Sequence, residues 1–180
     1  MRVITGSARG MRLFTLEGES VRPTTDKVKE AMFSIIQFEI EGRRVLDLFA
    51  GSGQLGIEAL SRGAKSAHFV DESRQAISVI DKNLEKTKLK ELATVSHTDS
   101  ISFITATERT FDLFFLDPPY NKGLAEKALP LCAKKASEGA LIVCETSADE
   151  FLPEEIESLV FSKRYKYGKT ALTVYRKAGD

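Results

Sequence analysis

From residue 42 onward the apolar positions switch between two rhythms. Short, nearly unbroken runs, RRVLDLF (43–49), SAHFVD (66–71), LATVSH (92–97), FDLFFLD (111–117) and ALIVCE (140–145), have the length and density of strands covered on both faces. Between them lie segments with helical spacing. These are GSGQLGIEALSRG (51–63), AISVIDKNLEKTKL (76–89) with polar residues opposite Ile77, Ile80 and Leu84, and connectors at 100–107 and 122–135. Strands alternating with helices in this way predict βαβ units, hence an α/β fold with a mostly parallel sheet and helices on both faces. The C-terminal LVFSKRYKYGKTALTVYRK (159–177) reads as two alternating strands around Gly168, an antiparallel hairpin on the sheet edge that brings the expected sheet to seven strands.

The first 41 residues have a different texture. Residues 1–16 alternate apolar with polar or basic residues around Gly6 and Gly10, as a small hairpin or extended arm. A helix then starts at Thr24 or Thr25, with a hydroxyl cap, Asp26 in the first turn and Val28, Ala31, Met32, Ile35 and Ile36 on one face, and Gly42 ends it. This divides the chain into an arm and helix (1–41) and a main domain (42–180).

Composition narrows the class. At 180 residues, 42% hydrophobic and 29% charged, the chain has material for one core. No apolar run approaches the ~18 residues needed to span a bilayer, and MRVITGSARGMRL lacks the apolar stretch of a signal peptide, so a cytoplasmic address is expected. Cys132 and Cys144 sit in apolar runs and are expected as buried free thiols. With two histidines, His68 and His97, and no clustered Cys/His spacing, no metal site is expected; His97 reads as a strand-end residue. Formal net charge is zero, but residues 1–29 carry six Lys/Arg against three acids and residues 163–177 carry six against none, while 30–162 carry 14 bases and 22 acids. Basic ends flanking an acidic centre suit a polyanionic partner if the fold brings them together; otherwise they are solvated faces.

Two motifs carry chemistry. DLFAGSGQLG places glycines at 51, 53 and 56 in a GxGxxG pattern, with Asp71 following Gly51 by 20 residues at the end of the next strand. That spacing fits a dinucleotide, with pyrophosphate at the helix N-terminus and the acid on the ribose. S-Adenosylmethionine makes a different demand on the same turn: it keeps the ribose and adenine but has no phosphate, and its methionine end carries an ammonium and a sulfonium. Asp47, four residues before Gly51, would help such a cation and oppose a pyrophosphate, so it favours the sulfonium ligand. Structural glycines with a helix-capping acid are the plain alternative. Asp99-Ser100 follows the third strand, where an acid either accepts from the adenine amino group or simply caps the 100–107 helix.

The second motif is Asp117-Pro118-Pro119-Tyr120. Two prolines cannot donate to a sheet ladder, so the strand must stop at Pro118 and carry Asp117 and Tyr120 to the carboxyl ends of the strands, where ligands of open α/β sheets gather. An exocyclic base amine is planar and weakly nucleophilic because its lone pair is delocalised into the ring. Two acceptors, the Asp117 carboxylate and the Pro118 carbonyl, would localise that pair towards a methyl donor, and Tyr120 offers a face on which an extruded base can stack. A tight turn is the plain reading of the same four residues.

Together these residues resemble class I, Rossmann-like methyltransferases with a DPPY-type amino-methylating motif. More narrowly, the chain resembles the bacterial family that methylates the exocyclic N2 of one guanine in small-subunit (16S) ribosomal RNA. The resemblance runs through VITGSARGMRL, VRPTTDKVKEAMF, VLDLFAGSGQLGIEALSRGA, FVDES, FDLFFLDPPY and YGKTALTVY. It implies S-adenosylmethionine as cofactor, bound by Asp47, Gly51, Gly53, Asp71 and Asp99, with Phe49 and Ser100 in the same loops. Arg22, Pro23 and Thr24 match an RPT element bordering the cofactor's methionine end. It implies catalytic roles for Asp117, Pro118, Pro119 and Tyr120, and RNA or small-subunit contacts through Arg2, Arg9 and Arg12 of the arm and through the C-terminal hairpin. A monomer is expected to suffice on so large a substrate. Two departures stand out: Asp71 replaces a common Glu, shortening the ribose contact by one methylene, and Thr5 replaces a common glycine in the arm.

Three rivals remain. A DNA adenine-N6 methyltransferase would use the same clamp but usually carries a recognition domain for which this chain has no room. An NAD-dependent oxidoreductase lacks an obvious hydride-transfer site after the glycine turn. A non-catalytic RNA-binding or assembly module would keep the fold without turnover.

Overall fold

The computed structural model describes residues 1–17 and 23–179. Its sheet has eight strands in the order β3-β2-β1-β4-β5-β8-β7-β6. Five parallel strands make up most of it: β1 (Arg44–Asp47), β2 (Ser66–Asp71), β3 (Ala93–His97), β4 (Phe111–Leu116) and β5 (Ala136–Ser147). The apolar runs are dense because alternate residues feed two cores. Val45, Phe69, Leu113 and Phe115 face one side, where α1 (Pro23–Ile35), α2 (Gln54–Ser61) and α3 (Arg74–Thr87) pack. Leu46, Val70, Phe114, Leu116 and Ile142 face the other, against α4 (Ser100–Ala106) and α5 (Leu124–Lys135).

The antiparallel edge differs from expectation in one respect. β7 (Leu159–Tyr167) and β8 (Thr170–Lys177) form the expected hairpin, with β8 paired to β5, but an eighth strand, β6 (Glu155–Ile156), pairs outside β7. Two residues are too few for alternation to show in the sequence. A short outer strand bearing Glu155 also leaves little edge for another chain to pair with. Cys132 and Cys144 are free and buried. Among the described residues no helix is long and apolar enough to cross a membrane.

The arm is a bridge between Arg2 and Arg12 closed over a turn, and it lies on α2. Gly6 has φ +93°, and a Cβ there would fall 1.8 Å from the Ser61 carbonyl oxygen, so the close approach needs glycine. The fully buried Glu58 accepts from the Ile4 and Thr5 N–H groups, and the Ser61 hydroxyl donates to the Thr5 carbonyl while accepting from Ala8 N–H. Val3, Ala8, Leu13, Val28, Met32, Phe33 and Ile36 belong to the same core cluster as the sheet, so residues 1–17 and 23–41 share the core of the rest instead of building their own.

Asn83 of α3 fastens the far end of the arm. Its buried amide accepts from Phe14 N–H at 2.7 Å and donates to the Phe14 and Ser52 carbonyls at 3.0 and 2.9 Å, joining the arm to the loop before α2. Asn83→Ala should therefore lower the unfolding free energy by about 1–3 kcal/mol, since buried polar groups lose their partners. It should also speed amide exchange at Val3 and Leu13, whose N–H groups bond to Met11 and Met1 within the arm. Denaturant melts and hydrogen exchange measure both, and unaltered exchange in the arm would show that apolar contacts alone hold it.

Candidate active site

The chain leaves β1 at Asp47 and enters α2 through the glycine turn, and each glycine has a distinct reason to be there. Gly51 (φ +56°) and Gly53 (φ +81°) take left-handed conformations, Gly53 at the helix N-cap. A Cβ on Gly56 would sit 2.4 Å from the Phe69 ring, so α2 packs onto β2 only because that position is bare. Asp71, at the end of β2, binds the turn from the side: one carboxylate oxygen accepts from Gly51 N–H and the other from Ser73 N–H, both at 2.9 Å.

Asp47 lies beneath the turn at 1% exposure and is not on the cavity wall. Its Oδ2 accepts from Gly56 N–H at 3.0 Å, and Oδ1 is buried with no hydrogen-bond partner among the described residues. Burial pushes its pKa up to about 7, with Asp71 adding to the rise and the Gly56 N–H opposing it. Asp47, expected among the cofactor-binding residues, thus stands one layer behind the cavity wall. From there it braces α2 through the Gly56 N–H.

Asp99 caps α4 by accepting from Ser102 N–H at 2.8 Å, and still borders the cavity. The two uses left open by the sequence are thus compatible. The Ser100 hydroxyl is committed elsewhere, donating to the Leu48 carbonyl at 2.6 Å, so it ties α4 to the end of β1.

Across the crevice, β4 ends at Leu116 and Asp117-Pro118-Pro119-Tyr120 turns out of the sheet. Pro118 is buried, Pro119 exposed, and Asp117 and Tyr120 half-buried. The Tyr120 hydroxyl donates to Glu145 Oε1 at 2.8 Å and lies 3.2 Å from the Thr170 hydroxyl. Burial pushes the phenol pKa up, and Glu145 adds to this; burial likewise raises the Glu145 carboxyl, with the Tyr120 bond opposing.

A cavity of about 570 Å³ joins these elements. It brings together Phe49, Gly51, Asp71, Asp99 and Ser100 with all four residues of the Asp117–Tyr120 turn. Asp47 and Gly53 stand behind the wall, and Arg22 and the Thr24 side chain lie outside the described residues. Several wall residues had no role assigned from the sequence: Met1 and Thr15 from the arm, Asp26 from α1, Glu72 beside Asp71, Lys122, and Glu145 near the end of β5. Glu72 and Glu145 had one available clue, an acid at the carboxyl end of a strand.

Among the described residues six acids, Asp26, Asp71, Glu72, Asp99, Asp117 and Glu145, border the cavity against one base, Lys122. Such a wall repels a pyrophosphate and attracts a cation. With a partnerless carboxylate oxygen beneath the turn as well, the residues present fit S-adenosylmethionine and not a dinucleotide.

The buried Asp47 has a consequence for stability. Its folded pKa, about 7, lies above the ordinary 3.8, so the folded chain holds that proton more tightly than the unfolded chain does. The associated stability is complete below about pH 4 and is lost as pH rises through about 7. Asp47→Asn keeps an acceptor for Gly56 without the charge. Without ligand, its stability relative to the parent should change little near about pH 4 and climb towards about pH 8, at up to about 1.4 kcal/mol per pH unit. Denaturant melts of both proteins across that range provide the measurement; a pH-independent difference would place the ionisation of Asp47 in the ordinary range.

Comparison with known proteins adds to this geometry. The family described as conserved hypothetical protein 95 matches residues 1–176. The putative rRNA methyltransferase YlbH of Bacillus subtilis is 42% identical over 99% of this chain and all of its own. The ribosomal RNA small subunit methyltransferase D of Haemophilus influenzae is 39% identical over 83% of this chain and 80% of its own. Among solved structures, the putative methyltransferase yhhF of Escherichia coli superposes with a TM-score of 0.87 at 31% identity, covering 100% of this chain and 99% of that one. The Thermus thermophilus 16S rRNA N2 G1207 methyltransferase, solved with AdoMet and guanosine, superposes with a TM-score of 0.73 at 25% identity, covering 90% of this chain and 45% of that one. On the family match, and on relatives this similar over most of their length, the chain belongs to the conserved hypothetical protein 95 family.

Proposed function

We propose that the protein transfers a methyl group from S-adenosylmethionine to the exocyclic N2 of a guanine in small-subunit (16S) ribosomal RNA. The observation that carries this reading is the acid-walled cavity at the point where strand order reverses between β1 and β4, with the glycine turn on one lip and Asp117–Tyr120 on the other. The names of the relatives support rRNA as the substrate class, and the guanosine-bound neighbour supports a guanine base.

When bound, S-adenosylmethionine supplies a methyl group on a sulfonium, ready for attack by a nitrogen lone pair. Asp71 and Asp99 are the acceptors for its ribose and its adenine amine, and Asp47 acts through its field and its hold on Gly56. Asp117 and the Pro118 carbonyl accept the two N–H bonds of the guanine amine, turning its lone pair towards the methyl group, and Asp117 can take up the proton the amine loses. The Tyr120 ring, tethered through its hydroxyl to Glu145, stacks on the base. In contrast to a proton shuttle, most of this work is positioning.

RNA reaches the cavity along the arm, whose exposed Arg2, Arg9 and Arg12 stand on the same segment as the wall residues Met1 and Thr15. Lys163, Lys166 and Lys169 of the β7–β8 hairpin supply a second group of exposed basic side chains. Arg164 is already engaged, stacked 4.2 Å over Phe151 and bonded to the Ala148 carbonyl. The protein works as a monomer in the cytoplasm, where its substrate is assembled.

Incubation with labelled methyl donor and small ribosomal subunits should place label in rRNA as N2-methylguanosine. Cofactor binding without transfer to any RNA would favour a non-catalytic module. Asp117→Ala should reduce transfer by about 100-fold or more, the scale of losing one preorganised electrostatic partner, with cofactor affinity little altered. A rate near that of the parent would remove Asp117 from the mechanism. Reversing charge at Arg9 and Arg12 should weaken RNA binding and flatten the log–log salt dependence by about 1–2 units. An unchanged slope would make the arm a solvated face.

A further inference from the structure

We propose that Glu145 reads the Watson–Crick edge of the target base by accepting the guanine N1–H next to the amine held by Asp117 and Pro118. This rests on the reading of the site given above. β4 and β5 run parallel with Leu116 opposite Cys144, so Asp117, the first residue beyond β4, emerges next to Glu145, which is still paired within β5 two residues before its last residue, Ser147. Both border the same cavity. Oε1 of Glu145 accepts from Tyr120, and an ionised carboxylate has capacity for further donors.

The chemistry of the base supplies the rest. The N2 amine of guanine adjoins N1–H, so a cavity that buries one donor buries both, and an N1–H left without an acceptor would cost binding. Adenine presents a lone pair at N1 beside its amine, and a carboxylate there would face it with like polarity. A single acid thus attracts guanine and rejects adenine, the pairing of attraction and repulsion that specificity needs. Asp117 cannot supply this choice, because its contact to an exocyclic amine is the same for either base. The Tyr120 hydroxyl, with Thr170 behind it, holds the carboxylate in place.

The test compares reconstituted small subunits whose rRNA carries either guanine or 2-aminopurine at the methylated position. 2-Aminopurine keeps the 2-amino group but presents a lone pair at N1. Glu145→Gln keeps the shape and offers an N–H to that lone pair, so the guanine to 2-aminopurine ratio of transfer rates should fall by about 10–100-fold against the unsubstituted protein. Comparing ratios cancels any recognition of O6, which both proteins share. If both rates fall together and the ratio stays within about threefold, Glu145 only supports Tyr120 and the inference is overturned. Should E145Q fail to fold, Glu145→Asp, which withdraws the charge by one methylene, should lower the same ratio, and an unchanged ratio counts equally against the proposal. Failure of the parent protein to methylate guanine at all would instead overturn the proposed function. The two failures are therefore distinct.

Discussion

The parallel pairing of β1 with β4 is the constraint from which the site follows. Val45, Leu46 and Asp47 lie against Leu113, Phe114 and Phe115, yet the chain leaves the two strands in opposite directions. After β1 it passes into α2, whose Leu55, Ile57 and Leu60 join the core on one face. After β4 it passes into α5, whose Ala128, Leu129 and Cys132 join the core on the other. Neither connection can cover the gap that opens between them. The backbone groups at its rim are bonded sideways instead, Leu48 N–H to the Phe115 carbonyl and Ala50 N–H to the Val70 carbonyl. A crevice with rigid walls results, its two lips carried by fully buried strands, the support that a site demanding sub-ångström placement requires.

Charge is distributed to suit that crevice at a cost to the empty fold. Six acids around one cavity repel one another, and Asp47 beneath them is buried deeply enough for its pKa to rise to about 7. A cationic ligand relieves both strains, so the folded state gains from binding in proportion to ligand concentration over its dissociation constant. The zero net charge of the chain therefore conceals an uneven distribution: acids are gathered around the cavity, and Arg2, Arg9 and Arg12 stand exposed on the arm.

The fold was legible because both cores are apolar. Strands covered on two faces leave unbroken runs, and β1 to β5, α2 to α5 and the β7–β8 hairpin fall where those runs and the helical spacing put them, whereas α1 stops at Ile35, seven residues before the Gly42 expected to end it. β6 was invisible, being too short for any period. Within the site, residues with motif spacing were legible as to place: Gly51, Asp71, Asp99 and Asp117–Tyr120 meet at one cavity. The layer each occupies was not. Asp47 and Gly53 share the motif but stand behind the wall, because which side of a turn a residue faces depends on how α2 packs against Phe69. The arm gave no sign that Met1 and Thr15 reach the cavity, since that depends on Glu58, Ser61 and Asn83, distant in sequence and ordinary in type.

The antiparallel edge shows why such a sheet is more than five parallel strands. β8 pairs with β5 along its length, placing Thr170 opposite Ser147 at the carboxyl end, where the parallel strands open the cavity. Thr170 thus lies within reach of the Tyr120 hydroxyl, and Glu145, two residues before Ser147, receives the Tyr120 bond. A tyrosine on a loop after two prolines would otherwise be free to rotate. Held by one residue from β5 and another from β8, its ring is fixed from the side of the antiparallel hairpin, and flexibility of the loop is exchanged for order supplied by that hairpin. The basic residues of the same hairpin then stand beyond that tether. The element that immobilises Tyr120 also carries the exposed Lys163, Lys166 and Lys169.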